Sequence, residues 1–226
     1  MKLGTTDIKK MFLGTTEIKK IFSGTTLLYE KLSKFLFYGG IGTYTVIKAD
    51  LGDSDTLNTS LSYGGYIRSI AVDDTHIYVG GQTTNAVRKY LKSDLSYVGE
   101  TPNYGGTIYS IAVDDTHIYV GGQTTNAVRK YLKSDLSYVG ETPNYGDIIY
   151  SIAVDDTHIY VGGYTTRTVR KYLKSDMSYI GESPNYGGTI SAIVLDDTYI
   201  YVGGYTTRTV RKYLKSDMSY IGESPN

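Results

Sequence analysis

The sequence predicts an all-β fold of repeated four-stranded units, and three observations carry that prediction. The residues "DDTHIYVGG" recur at 73–81, 114–122 and 155–163, with "DDTYIYVGG" at 196–204. Tyr63, Tyr104, Tyr145 and Tyr186 each open a copy, so the period is 41 residues and the copies fill 63–103, 104–144, 145–185 and 186–226. The composition is rich in strand and turn formers, with 25 Tyr and 26 Gly against four Pro.

Within the copy at 104–144, "TIYSIAVD" (107–114) is apolar on both faces and ends at "DDT", where aspartate side chains close a tight turn on their own backbone. "HIYVGG" (117–122) reads as a second strand ended by a glycine pair. "AVRKYLK" (127–133) and "LSYVG" (136–140) read as third and fourth strands split by "SD", and "ETPNYGG" leads to the next copy. Hairpin-length turns make this an antiparallel meander. Apolar content falls along the unit, from Ile108, Ile111, Ala112 and Val113 to Arg129, Lys130 and Lys133. A sheet clamped between neighbours at one edge and wetted at the other shows that gradient, as in the blade of a β-propeller. A parallel β-solenoid would need two coils per repeat and would not produce it.

A weaker fifth copy lies at 22–62, where "FLFYGG" (35–40) falls under "HIYVGG" (76–81) and Val46 and Lys48 fall under Val87 and Lys89. The expectation is therefore a five-bladed β-propeller over 22–226, its first blade degenerate, preceded by a segment at 1–21. From that segment into the first copy, "LGTTDIKKMF" (3–12), "LGTTEIKKIF" (13–22) and "SGTTLLYEKL" (23–32) form a second period of ten, a turn followed by a short strand. One reading is a hairpin that closes the ring. The other is an attachment segment presenting Ile8, Phe12, Ile18 and Phe22.

The totals exclude several function classes. Twenty-three basic and 23 acidic residues cancel, and the copies at 104–144 and 186–226 are themselves near neutral. Nucleic acid and anionic membrane surfaces are therefore not expected partners. The recurring "VRKYLK" reads as a solvated outer strand. With no cysteine there are no disulfides or thiolate metal sites. "MKLGTTDIKKMFLG" lacks the apolar core of a signal peptide, so secretion by the usual route is not expected.

Near-identical units also argue against an active site, which needs one asymmetric arrangement of groups. His76, His117 and His158 occupy one repeat position, but Tyr199 and Phe35 stand there in the other copies, so packing explains them better than a metal. Asp73/Asp74, Asp114/Asp115, Asp155/Asp156 and Asp196/Asp197 read as turn chemistry rather than catalytic pairs or calcium ligands. No cofactor is expected, and no phosphate-binding or nucleophile motif occurs. The loop after the glycine pair is the best binding candidate: Gln82 and Asn85, Gln123 and Asn126, then Tyr164 and Arg167, Tyr205 and Arg208. Such side chains stack on or hydrogen-bond a sugar, and similar loops on one ring would give avidity for a repetitive polymer. Tolerance of change at an exposed turn is the plainer account of the same variation.

"IYVGGYTT" resembles the second strand of kelch-type propellers, and the repeat length resembles the WD-repeat class. The chain has no tryptophan, no Gly-His and no Trp-Asp signature, so it matches neither family proper. The tandem Gly-Thr-Thr-Asp/Glu-Ile-Lys-Lys arrangement over 1–31 looks like a module at the start of tail-associated and other structural proteins of phages and prophages of Gram-positive bacteria. That resemblance implies a virion component, assembled in the host cytoplasm and docked by its N-terminus on other virion proteins. The expected function is a non-enzymatic virion structural or accessory protein, in tail or capsid, with a host surface glycan as a further partner. Near-identical units also permit a homo-oligomer. Two alternatives remain. One is a glycan-processing propeller enzyme using the asymmetric acids Glu30, Asp50, Asp53, Asp55 or Asp147; the other is a protein-interaction scaffold of the host cell.

Overall fold

Each 41-residue copy folds on the same sequence logic: β-branched and tyrosine-rich runs extend, and the DDT, glycine-pair and KSD stretches turn. The computed structural model describes residues 44–48 and 62–225 in full. It describes the backbone of further strands within 12–59. The side chains of the docking candidates Ile8, Phe12, Ile18 and Phe22 lie outside the described residues, as do those of Glu30, Asp50, Asp53 and Asp55.

Four four-stranded antiparallel sheets follow one another, each in simple sequential order. In the second, Ile108–Val113, His117–Gly122, Arg129–Leu132 and Tyr138–Glu141 are the strands. The first runs from Ile67–Val72 to Tyr97–Glu100, the third from Ile149–Val154 to Tyr179–Glu182, and the fourth from Ile190–Leu195 to Tyr220–Glu223. The first strand of each sheet lies against the first strand of the next, so the sheets converge at their apolar ends as the polarity gradient requires.

The chain divides into two compact units, Met1–Leu36 with Ala49–Leu57, and Phe37–Lys48 with Asn58–Asn226. Within the degenerate copy, Phe35–Tyr38, Ile47–Asp50 and Asp53–Thr59 form a three-stranded sheet rather than a four-stranded one. Thr26–Glu30 sits one period before Ile67–Val72 but pairs with Lys20–Ser23 instead. Phe12–Leu13 pairs with Thr16–Glu17.

The core lies between sheets. Tyr78 and Val87 of the first sheet pack on Tyr104, Ile108, Ile111, Ile118, Val120, Tyr131 and Leu136 of the second, and this set repeats at the next two interfaces. Val46 takes the place of Val87 against Tyr63, Ile67 and Ile77, so the same packing rule reaches back to residues 44–48. Gly80 is small for a reason: a Cβ there would stand 2.7 Å from Ile108 Cγ2 and 2.8 Å from Ile111 Cδ1 of the adjoining sheet. The tyrosine that opens each copy is fully buried, and Tyr104 Oη donates to the Ala127 carbonyl at 2.9 Å.

The third strand departs from expectation. Lys89, Lys130 and Lys171 are 7% exposed, not solvated. Each Nζ crosses to the next sheet, donating to the carbonyls of Lys133, Lys174 and Lys215 at 2.6–2.7 Å. A backbone carbonyl at the end of an apolar lysine stem compensates part of the cost of burying the ammonium. Lys48 repeats the pattern with the Ser93 carbonyl at 2.7 Å. The solvated edge is the fourth strand, whose extra residue (Val98 in the first sheet) forms a bulge opposite Lys89 and Tyr90. Such a bulge helps keep an exposed edge from pairing with another chain.

Candidate binding surface

The two ends of each sheet have different chemistry. At the DDT end the polar groups are used to hold the sheets together. Asp114 Oδ1 accepts the backbone N–H groups of Thr116 (2.9 Å) and His117 (2.7 Å), closing the turn. Its Oδ2 accepts the Tyr119 hydroxyl at 2.9 Å and lies 2.5 Å from Lys174 Nζ of the next sheet. Lys174 also donates to the Asp155 carbonyl at 2.9 Å, so one ammonium ties consecutive turns. Asp73 with Lys133 and Asp155 with Lys215 repeat the bridge. Burial alone would raise these carboxyl pKa values, but the lysine, the two N–H groups and the tyrosine outweigh it and hold them well below the usual carboxylate range.

The three histidines belong to this network. His117 Nδ1 lies 2.7 Å from the Thr116 hydroxyl, and burial together with Lys130 lowers its pKa, keeping the ring neutral at pH 7. Among the described residues no group of three His, Asp or Glu is placed to hold a metal. A cavity of about 810 Å³ opens here between the second and third sheets, lined by Asp114, His117, Lys130, Asp155 and Lys174. Its size invites a ligand, but Asp114, Asp155 and Lys174 are already held in ion pairs and Lys130 by the Lys174 carbonyl.

The opposite end is where the copies diverge. Position 65 becomes Asp147, Tyr66 becomes Thr107 or Ile148, Arg68 becomes Tyr109, Tyr150 or Ser191, and Gln82 becomes Tyr164 or Tyr205. The DDT end changes less, with Val72 becoming Leu195, His76 becoming Tyr199 and Leu95 becoming Met177.

Backbone geometry brings these variable side chains together. Ile108 pairs with Gly122 and Ser110 with Gly121, so Tyr109 is the extra residue of a bulge in the first strand. Arg68, Tyr150 and Ser191 are the equivalent bulge residues. A bulge re-aims a side chain that regular pairing would set on a sheet face. Tyr109 and Tyr150 meet edge to face at 5.2 Å, and Arg68 lies over the rings of Tyr66 (5.9 Å) and Tyr109 (6.0 Å). Tyr44 stacks on Tyr66 at 5.6 Å. Tyr109, Tyr150, Tyr164 and Tyr205, with Thr189 and Ser191, line a cleft of about 290 Å³.

The loop residues expected from sequence divide accordingly. Tyr164 and Tyr205 enter the cleft and are exposed. Gln82 and Gln123 are exposed but do not line it. Asn85 and Asn126 take left-handed backbone (φ 52° and 51°), a conformation asparagine tolerates, which supports a turn role. Arg167 and Arg208 hold the same conformation at φ 56° and 58° without that tolerance. Asp147 remodels its own loop: Oδ2 accepts the Thr165 hydroxyl at 2.7 Å and Oδ1 the Ile148 N–H at 2.7 Å. The bulge tyrosines were not among the sequence candidates. Copies 63–103 and 104–144 differ only at 66/107 and 68/109, and that was their one visible signal.

No family model matches the chain, and no curated protein matches it. Among solved structures, 930 chains are similar, a number too large to point to one function. One is the crystal structure of the computationally designed Ika4 protein, with a TM-score of 0.63 at 10% identity over 69% of this chain and 94% of that one. At that identity the likeness bears on the fold alone. With the four sheets it makes this chain a β-propeller-like repeat protein.

Proposed function

We propose that the chain is a non-catalytic structural or accessory protein of a bacteriophage particle, located in the virion after assembly in the host cytoplasm. In this reading residues 1–21 dock it on other virion proteins, the copy at 22–62 completes a five-bladed ring, and the divergent end of the sheets faces a host surface glycan. One observation carries the binding part: at the copied end half-buried charges bridge sheets, while the variable end gathers half-buried and exposed tyrosines. Against catalysis, Asp147 is the one asymmetric acid whose side chain is described, and it is engaged by its own loop. Mass spectrometry of purified particles tests the assignment. The chain is expected in stoichiometric amount with the other structural proteins, and its absence from intact particles would refute the virion role.

Ring closure has its own test. The outward face of the fourth sheet presents Val210 at 48% exposure, where Val87, Val128 and Val169 are 0% exposed, and Val194 at 63%. Gly203 has no atom within 4 Å of its Cβ position, unlike Gly80, Gly121 and Gly162. This face repeats surfaces that are covered elsewhere, which is what a closing blade requires. Val128→Asp is expected to cost about 3 kcal/mol or more in urea unfolding, as a charge buried without a partner. If copy 22–62 closes the ring, Val210→Asp costs nearly as much. A Val210→Asp cost within about 0.5 kcal/mol would leave the ring open.

A further inference from the structure

We infer that the row of bulge residues and the cleft at its end form a binding groove for a neutral, extended oligosaccharide. This rests on the glycan reading above and names both the site and the ligand class.

The row is continuous across four sheets. Tyr44 stacks on Tyr66, Arg68 lies over Tyr66 and Tyr109, and Tyr109 meets Tyr150. Beyond Tyr150 the cleft continues to Tyr164, Tyr205, Thr189 and Ser191. Each side chain at the bulge position is aimed by the same backbone irregularity, so strand residues set the row, and Tyr164 and Tyr205 are added to its end by the loops after the glycine pairs. Four tyrosine rings and two hydroxyls line the cleft, with no carboxylate, ammonium or guanidinium among them.

That lining selects by chemistry. Tyrosine offers an apolar ring face and a polar tip at low conformational cost. A pyranose has a matching apolar C–H face and a rim of hydroxyls, so it stacks on the rings and exchanges hydrogen bonds at their edges. An anionic polymer would find one cation along the row, Arg68, which is too few to hold phosphates or carboxylates at intervals. A volume of about 290 Å³ is at the small end of ligand pockets, suited to a terminal sugar unit with the rest of the polymer lying along the row. Extended contact across sheets also explains how weak stacking gains affinity: linked units bind with high effective concentration.

Difference between copies is the independent support. The two copies that differ at only two of their positions spend both differences here, at 66/107 and 68/109. Ser191 shows that serine fits the same bulge, so a double substitution to serine has a precedent within the fold.

Isothermal titration of the full chain with chito-, cello- and maltohexaose, and with purified host wall polysaccharide, tests the inference. Tyr109→Ser/Tyr150→Ser is the groove variant, and Asp115→Asn/Asp156→Asn, exposed at the opposite end, is the control. At least one of these glycans is expected to bind, about tenfold or more weakly to the groove variant and equally to the control, with thermal unfolding midpoints unchanged. Equal binding by the groove variant would overturn the groove while leaving the glycan reading intact. No binding of any glycan by the unaltered chain would overturn both. Loss of binding in the control would move the site to the DDT end.

Discussion

Asp114→Ala is expected to destabilise the chain by about 3 kcal/mol or more, while Asp115→Ala, one residue on, changes stability by less than about 0.5 kcal/mol. The two aspartates look interchangeable in sequence, but Asp114 turns inward and Asp115 is exposed. Removing the Asp114 carboxylate strands the Tyr119 hydroxyl, leaves the Lys174 ammonium without its counter-ion, held by the Asp155 carbonyl alone, and opens the turn that Thr116 and His117 close. Asp196→Ala should lie between these values. Asp196 keeps the bonds to Thr198, Tyr199 and Tyr201, but no lysine bridge to it occurs among the described residues. Urea unfolding of the three variants measures the order.

The same network sets an acid limit. Asp73, Asp114 and Asp155 have carboxyl pKa values depressed in the folded state, so the unfolded chain binds more protons as pH falls. Their stabilisation is fully present above the unfolded value, about pH 4, and is lost as pH drops through the folded values below it. Unfolding free energy should be insensitive to these groups above about pH 5 and fall below about pH 4. In Asp114→Asn that fall should be shallower.

Gly122→Ala is the second large effect. A Cβ at this position would run into the carbonyl oxygen of Thr107 and press on the Ile108 Cα, which are backbone atoms of the paired strand and cannot swing aside. The same close approach to a carbonyl recurs at Gly81, Gly163 and Gly204, each opposite a bulged first strand. We expect a loss of about 3 kcal/mol in urea unfolding. Gly140→Ala, on the outer strand with nothing within 4 Å, should cost less than about 1 kcal/mol. Equal costs at the two positions would mean that the close backbone approach is not what requires glycine at 122.

Much of the architecture was legible in the sequence because it is local. The 41-residue spacing of Tyr63, Tyr104, Tyr145 and Tyr186, the DDT turns and the glycine pairs mark strand ends without knowledge of neighbours. What crosses between sheets was hidden. Nothing in "VRKYLK" distinguishes a lysine that points to water from Lys89, whose partner is the Lys133 carbonyl of the next copy. The Asp73–Lys133 bridge likewise joins residues from different copies, beyond the reach of any motif. The aromatic row was hidden for another reason. "IYSIAV" is apolar enough on both faces that its alternation conceals a register shift, so Tyr109 reads as one more strand residue. The equivalence of Val46 and Lys48 to Val87 and Lys89 was visible in the alignment of the copies, but the pairing of Thr26–Glu30 with Lys20–Ser23 was not.

Hydrogen–deuterium exchange of the full chain, with and without the tightest-binding hexasaccharide, tests most directly the division between a copied end that holds and a divergent end that binds. New protection is expected in the segments carrying Tyr66–Arg68, Thr107–Tyr109, Ile148–Tyr150 and the loop at 164–167. The DDT turns at 73–76, 114–117 and 155–158 are expected to remain unchanged. Protection that appears at those turns, or equally in every copy, would contradict it.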